Sequence, residues 1–214
     1  DPIRGGRLSG GFLEGNSNTG ASYGIAMSFV TDFTVEECYA ANFPGSALYA
    51  NFGYGNTFRH FTVTKSGDAN WSDITLLRQG NFHALNLSSR YANGFGPGVA
   101  WCSDGQLDAL RSEFSNGRGV KFAACYNLQI GSVKAHHALN GFTGISISVG
   151  CHGLDIGLAE AYGNSAAGLW FSDQGNTRNY IGRFRGKGNG GYDVAFYSTD
   201  SNNRITAPNV ISAE

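Results

Sequence analysis

The chain has 214 residues, enough for one large domain, with 41% hydrophobic residues and a formal net charge of −1. Thirty-two glycines against four prolines, with 14% charged and 13% aromatic residues, describe short apolar segments broken by many turns, a β-rich and not a helical composition. A near-neutral chain without a Lys/Arg cluster argues against binding nucleic acid or an anionic membrane through bulk charge, and no apolar run approaches the roughly 20 residues that cross a bilayer.

In chain order, Asp1-Pro2-Ile3-Arg4-Gly5-Gly6 carries no secretion-signal pattern, and residues 1–17 read as an irregular N-terminal segment. From residue 18 the chain repeats. The first apolar triplet is Ile25-Ala26-Met27, followed by the apolar pair Phe33/Val35. Then come Ala47-Leu48-Tyr49 with Phe61/Val63, Ile74-Thr75-Leu76 with Leu85/Leu87, and Val99-Ala100-Trp101 with Leu107/Leu110. The second half continues with Val120-Lys121-Phe122 and Leu128/Ile130, Ile145-Ser146-Ile147 and Leu154/Ile156, Leu169-Trp170-Phe171 and Ile181, and Tyr192-Asp193-Val194 and Ile205. Residues 207–214 read as a C-terminal segment.

Asparagines punctuate the repeat: Asn42, Asn70, Asn93, Asn116, Asn140, Asn164 and Asn189 stand 28, 23, 23, 24, 24 and 25 residues apart. Glycine precedes five of the triplets directly, as Gly24, Gly98, Gly119, Gly144 and Gly168. Successive strand residues point to opposite faces, so the outer members of each triplet face inward and the middle one outward. The expected outward column is Ala26, Leu48, Thr75, Ala100, Lys121, Ser146, Trp170 and Asp193. A unit of about 24 residues cannot bury its inner face alone, so the units stack, each strand pairing in parallel with its equivalent one coil away. The expected fold is an all-β, single-stranded right-handed parallel β-helix of about eight coils spanning 18–206. Asparagine suits its corners because it tolerates left-handed backbone, and stacked copies can form an amide ladder. Cys38, Cys102, Cys125 and Cys151 lack C-x-x-C spacing and read as free thiols, with Cys125 and Cys151 the one pair that adjacent coils could join.

Gly168-Leu169-Trp170-Phe171 and Asn140-Gly141-Phe142-Thr143-Gly144-Ile145-Ser146-Ile147 resemble the repeats of pectate-lyase-type right-handed β-helix proteins, and among these most resemble the β-helical body of a bacteriophage tailspike. The resemblance implies a homotrimer of the virion tail that recognises, and often cleaves, bacterial surface polysaccharide such as capsule or O-antigen. The segment Cys151-His152-Gly153-Leu154-Asp155-Ile156-Gly157 is also similar to a polygalacturonase motif, but no paired aspartates lie on the preceding coil and no Arg-Ile-Lys follows.

Glycoside hydrolysis by the usual route needs two carboxyl groups about 5–9.5 Å apart, a separation that adjacent coils supply. Asp173 and Asp193 are the expected acid/base pair, and Trp170 beside them is either a sugar-stacking platform or a subunit contact. Glu160 and Tyr162, with Arg183 and Arg185 one coil on, form a second cluster suited to an acidic glycan, since arginine holds carboxylate or phosphate bidentately. Lys121 adds a further cation for substrate. His136, His137 and His152 fit no zinc spacing, and no cofactor, nucleic acid or membrane insertion is expected. The competing readings are a lyase acting on uronic acids through a basic or tyrosyl proton acceptor, and a non-catalytic binding or structural rod.

Overall fold

The computed structural model describes residues 3–15, 23–68, 72–173, 175–196 and 202–206, with the backbone of 208–210. Its strands are β1 (Ile3–Glu14), β2 (Ile25–Ser28), β3 (Val30–Ala41), β4 (Leu48–Tyr54), β5 (Thr57–Thr64) and β6 (Ile74–Gly80). They continue as β7 (His83–Arg90), β8 (Gly98–Ala100), β9 (Gln106–Glu113), β10 (Val120–Ala123), β11 (Gln129–His136) and β12 (Ile145–Ser148). The last are β13 (Asp155–Tyr162), β14 (Leu169–Ser172), β15 (Tyr180–Lys187), β16 (Val194–Phe196), β17 (Arg204–Ile205) and β18 (Pro208–Val210).

Even-numbered strands β2 to β16 pair in parallel with one another, and odd-numbered strands β1 to β15 do the same. The chain therefore runs along one strand of each kind per coil and rises one coil at a time, as a parallel β-solenoid with eight copies of the even-numbered strand. Residues 3–14, expected to be irregular, instead extend the stack as β1 against β3, although that strand is almost wholly exposed.

Inward columns explain the stacking. Phe58, Ala84, Leu107, Ile130, Ile156 and Ile181 align coil by coil, as do Phe61, Leu87, Leu110, Val133, Ala159 and Phe184. On the other sheet Leu76, Val99, Phe122, Ile147 and Phe171 form one column. All are buried, and each large member contributes about 1.5–3 kcal/mol of apolar burial. On the odd-numbered strands the inward positions are the second, fifth and seventh of the eight-residue units, so two neighbouring residues face outward where the strand bends. At the third position of β11 and β13 glycine is required, because a Cβ on Gly131 would meet the Asp108 carbonyl at 2.6 Å and one on Gly157 the Gly131 carbonyl at 2.9 Å.

The triplet reading holds for Ile74–Leu76, Val120–Phe122, Ile145–Ile147 and Leu169–Phe171. It slips elsewhere. Leu48 is buried and Tyr49 takes the outward place, because Leu48 aligns with Ile74. Trp101 is not inward but a corner residue with φ 51, and Gly98, not Ala100, aligns with Lys121. Asp193 precedes β16, and Ala195 is the residue aligned with Trp170.

Three corners per coil carry positive φ. One is Phe29, Phe52, Arg78, Trp101, Ala124, Val149 and Asp173; the second includes Asp32, Asn81, Asp104, Asn127 and Asn202; the third includes Asn42, Lys65, Tyr91, Phe114 and His137. Left-handed backbone costs bulky residues roughly 1–2 kcal/mol each, and stacking along the column offsets it. Phe29 and Phe52 stack at 4.9 Å, and Arg78 lies 4.6 Å from Phe52 and 5.5 Å from Trp101. Of the repeating asparagines, Asn42 and Asn140 take positive φ. Asn164 and Asn189 follow the corner and form the amide ladder, with Asn164 Nδ2 donating to Asn189 Oδ1 at 2.8 Å and to the Ala135 carbonyl at 3.1 Å. Asn70 lies outside the described residues. All four cysteines are unpaired and buried.

Candidate functional site

The outward face of the odd-numbered strands beyond the bend gathers most of the charge. Register places Ser88, Arg111, Lys134, Glu160 and Arg185 in one row and Arg90, Glu113, His136, Tyr162 and Lys187 in the next. With coils about 4.8 Å apart, each row runs roughly 19 Å along the solenoid. Arg183 stands beside them at the bend, exposed and aligned with Leu158. Six cations thus face two carboxylates on a chain whose net charge is −1, so the neutral total conceals a strongly positive face.

Glu160 is the centre of this face. It is 6% exposed, with Lys134 Nζ 2.7 Å from its Oε2 and Arg185 Nη1 donating to its Oε1 at 3.0 Å. Burial works to raise its pKa, but the hydrogen bonds and charges of Lys134 and Arg185 prevail and hold it below the usual glutamate range. Glu160 is therefore an ionised acceptor at neutral pH, not a stored proton. Glu113 is bracketed in the same manner by Arg90, 3.2 Å away, and by Arg111. His136 sits between the two carboxylates, its ring tilted against Tyr162 at 5.0 Å. Burial lowers its pKa more than the nearby carboxylates raise it, so the imidazole is neutral at pH 7, and its buried Nε2 has no hydrogen-bond partner. A cavity of about 320 Å³ opens on this face toward earlier coils, lined by His60, Thr62, Asn86, Ser88, Arg111 and Lys134 among others.

Of the residues expected to form a site, Glu160, Tyr162, Arg183 and Arg185 are brought together on this face. The missed members of the two rows are Arg90, Arg111, Glu113, Lys134 and Lys187. The signal for Arg111 and Lys134 was one of interval, since 111, 134, 160 and 185 are separated by one coil length each.

The other group is divided. Trp170 does face outward from β14, in the column Lys121, Ser146, Trp170, Ala195. Asp173 follows the end of β14 as a corner residue with φ 74, whereas Leu169 at the start of β14 donates its N–H to the Asp193 carbonyl at 2.8 Å. The four residues of β14 lie between the aspartates, roughly 13 Å of strand, beyond the range of an acid/base pair. Asp193 instead accepts a hydrogen bond from Asn189 Nδ2 at 2.5 Å and takes part in the turn. His152 pairs with Thr177 Oγ1 at 2.8 Å, and His137 stacks on Phe114 at 4.8 Å. Among the described residues no group of three or more His, Cys, Asp or Glu side chains is placed to hold a metal ion.

A groove of about 480 Å³ lies beside Trp170, lined by Arg118, Phe142, Ala167, Tyr192 and Ala195 among others. It belongs to the outer face of the even-numbered strands and is separated from the charged face by the corner at His137, Gly163 and Gly188.

No family model matches the chain, and no curated protein matches it. Among solved structures, the catalytic domain of a GH87 alpha-1,3-glucanase in complex with tetrasaccharides aligns over 96% of this chain at 11% identity with a TM-score of 0.31. The chain spans 65% of that domain's length, and a likeness of this degree carries no argument about activity.

Proposed function

We propose that this protein is a polysaccharide-recognising β-solenoid, tailspike-like in organisation, whose charged face is a track for an acidic bacterial surface glycan. The observation that carries the reading is the excess of cations in two parallel rows, with Arg183 and Lys187 exposed and outside any ion pair among the described residues. Side chains repeating at strand spacing suit an extended polymer better than a compact ligand. Arg185 and Lys134 are fixed by Glu160, which presents their remaining donors in a set geometry to carboxylate or phosphate groups.

Recognition is better supported than hydrolysis. Asp173 and Asp193 stand at opposite ends of β14, and Glu160 is held ionised, so neither arrangement supplies the protonated acid that glycoside hydrolysis requires. A second reading, elimination at a uronic acid, is favoured by the neutral His136 ring beside Tyr162, whose Nε2 has no hydrogen-bond partner. As in the tailspikes the repeats resemble, the working particle would be a trimer on a virion tail.

The test is to pass acidic and neutral bacterial polysaccharides over the immobilised protein while following reducing ends and ultraviolet absorbance in solution. Retention of acidic polymers alone supports the track, with an absorbance rise assigning the elimination reading and reducing ends without it assigning hydrolysis. Equal retention of neutral polymers, or none of either, would overturn it.

A further inference from the structure

The groove beside Trp170 brings aromatic surface and unpaired cations together. Two of its aromatic rings are free of ring stacking, Tyr192 exposed and Trp170 partly exposed. Phe52 and Phe114 have their faces occupied by Phe29 and by Tyr91 and His137 in the corner stacks, so they show only edges to solvent. Among the described residues neither Trp170 nor Tyr192 makes a ring contact, and Tyr192 is 77% exposed. Trp170 has only Ser146 and Ala195 as neighbours in its column, side chains too small to cover an indole.

The cation in the groove and the one next to it along the column are unpaired. Arg118 lines the groove, and its guanidinium lies 6.0 Å from the Phe95 ring, which in turn meets Phe142 edge-on at 5.9 Å. Lys121, half-buried, stands in the same outward column as Trp170 with only Ser146 between them. Its ammonium is destabilised first by burial and then by the charge of Arg118, with Asp173 a smaller opposing influence. Neither cation has a carboxylate at ion-pair distance among the described residues.

We propose that this groove is a second glycan subsite that binds a carboxylated pyranose, its ring against Trp170 and Tyr192 and its carboxylate directed at Arg118 and Lys121. The choice follows from elimination by chemistry. A neutral sugar would stack but leave two like charges unrelieved, and an apolar ligand or a second copy of this face would desolvate them further. A carboxylate relieves both, while the C–H face of the ring uses the aromatic surface. The subsite does not depend on the charged track, since the two lie on different sheets.

The probes are methyl glucuronide and methyl glucoside, which differ only in the carboxylate. Each is titrated into nitrogen-15-labelled protein while the indole N–H signal of Trp170, assigned with Trp170→Phe, is followed. The expected result is a saturable shift with the glucuronide and binding of the glucoside weaker by about tenfold, the scale of one charge-assisted hydrogen bond. Arg118→Ala with Lys121→Ala should abolish the preference, and Arg183→Glu with Lys187→Glu on the charged face should leave it intact. The proposal is overturned by an unmoved indole signal, by equal response to both sugars, by a preference that survives loss of Arg118 and Lys121, or by one lost with Arg183 and Lys187. Trp170 protected by self-association instead, seen as a concentration-dependent sedimentation coefficient that Trp170→Ala removes, would overturn it equally.

Discussion

Asp73 offers the sharpest stability test. Its side chain is fully buried at the turn before β6, accepting hydrogen bonds from the Ile74 N–H at 2.7 Å and from the Ser89 hydroxyl. Its position in the repeat is otherwise held by small residues, Ala47 one coil before and Gly96 one coil after. Burial raises its pKa from 3.8 to about 7 against those hydrogen bonds. A folded-state pKa above the unfolded value means that stability is fully present below about pH 4 and is lost as pH rises through 7. At about 1.4 kcal/mol per factor of ten in acidity, the loss is about 4 kcal/mol by pH 8.5. Asp73→Asn keeps an acceptor for Ile74 and gains a donor for Ser89 without a titrating proton, so the variant should match the parent near pH 4 and exceed it above pH 7. For a chain of this length the gain corresponds to roughly 10 °C in melting temperature, measurable by calorimetry at pH 5 and 8.5. Parallel pH profiles for the two proteins would refute the argument, because they would mean that the carboxylate ionises without cost.

Other consequences follow from burial and register. Glu160→Gln leaves Lys134 and Arg185 repelling each other, a loss of about 1 kcal/mol at pH 7 after allowing for their exposure. Because the pKa of Glu160 is lowered on folding, its contribution is present above the unfolded glutamate value and disappears as pH falls through the folded one, so the parent and variant melting curves should converge in acid. Phe122→Ala opens a cavity in the fully buried column between Val99 and Ile147 and should cost about 3–5 kcal/mol in urea unfolding. Gly144→Ala would bring a methyl group to 2.5 Å from Asn164 Nδ2 and 2.9 Å from the Gly168 carbonyl, so it should destabilise by more than about 1 kcal/mol and lower the amide protection of Asn164 in hydrogen exchange.

The repeat was legible because burial dictates it. Ile145, Ile147, Leu169 and Phe171 must face inward, and the period of two reports that directly. Register failed where the side chain at the next position was also apolar. Tyr49 resembles a core residue in composition yet lies outward beside an inward Leu48, and Tyr192 drew the last triplet two residues early, misplacing Asp193. Trp101 was misplaced because stacking on Arg78 stabilises a bulky residue in a left-handed corner, an effect between coils that no local propensity records. The same limit governs the site. The pairing of Glu160 with Arg185 was readable from one coil-length interval, but Lys134 and Arg111 required the register of β9, β11 and β13. The positive face was invisible to net charge because the carboxylates that balance it lie elsewhere on the solenoid.

In the proposed track, exposed cations on the odd-numbered strands select an acidic chain. Reversing Arg183 and Lys187 together, as Arg183→Glu and Lys187→Glu, changes the excess of positive charge on that face to zero while touching no buried side chain. The measurement is the affinity of parent and variant for a polyglucuronate and for a neutral glucan of equal length, at low and at physiological salt. The parent is expected to prefer the polyglucuronate, salt to weaken this binding, and the variant to lose at least about tenfold in affinity for it. Unchanged binding of polyglucuronate by a variant that remains folded would contradict the proposed track.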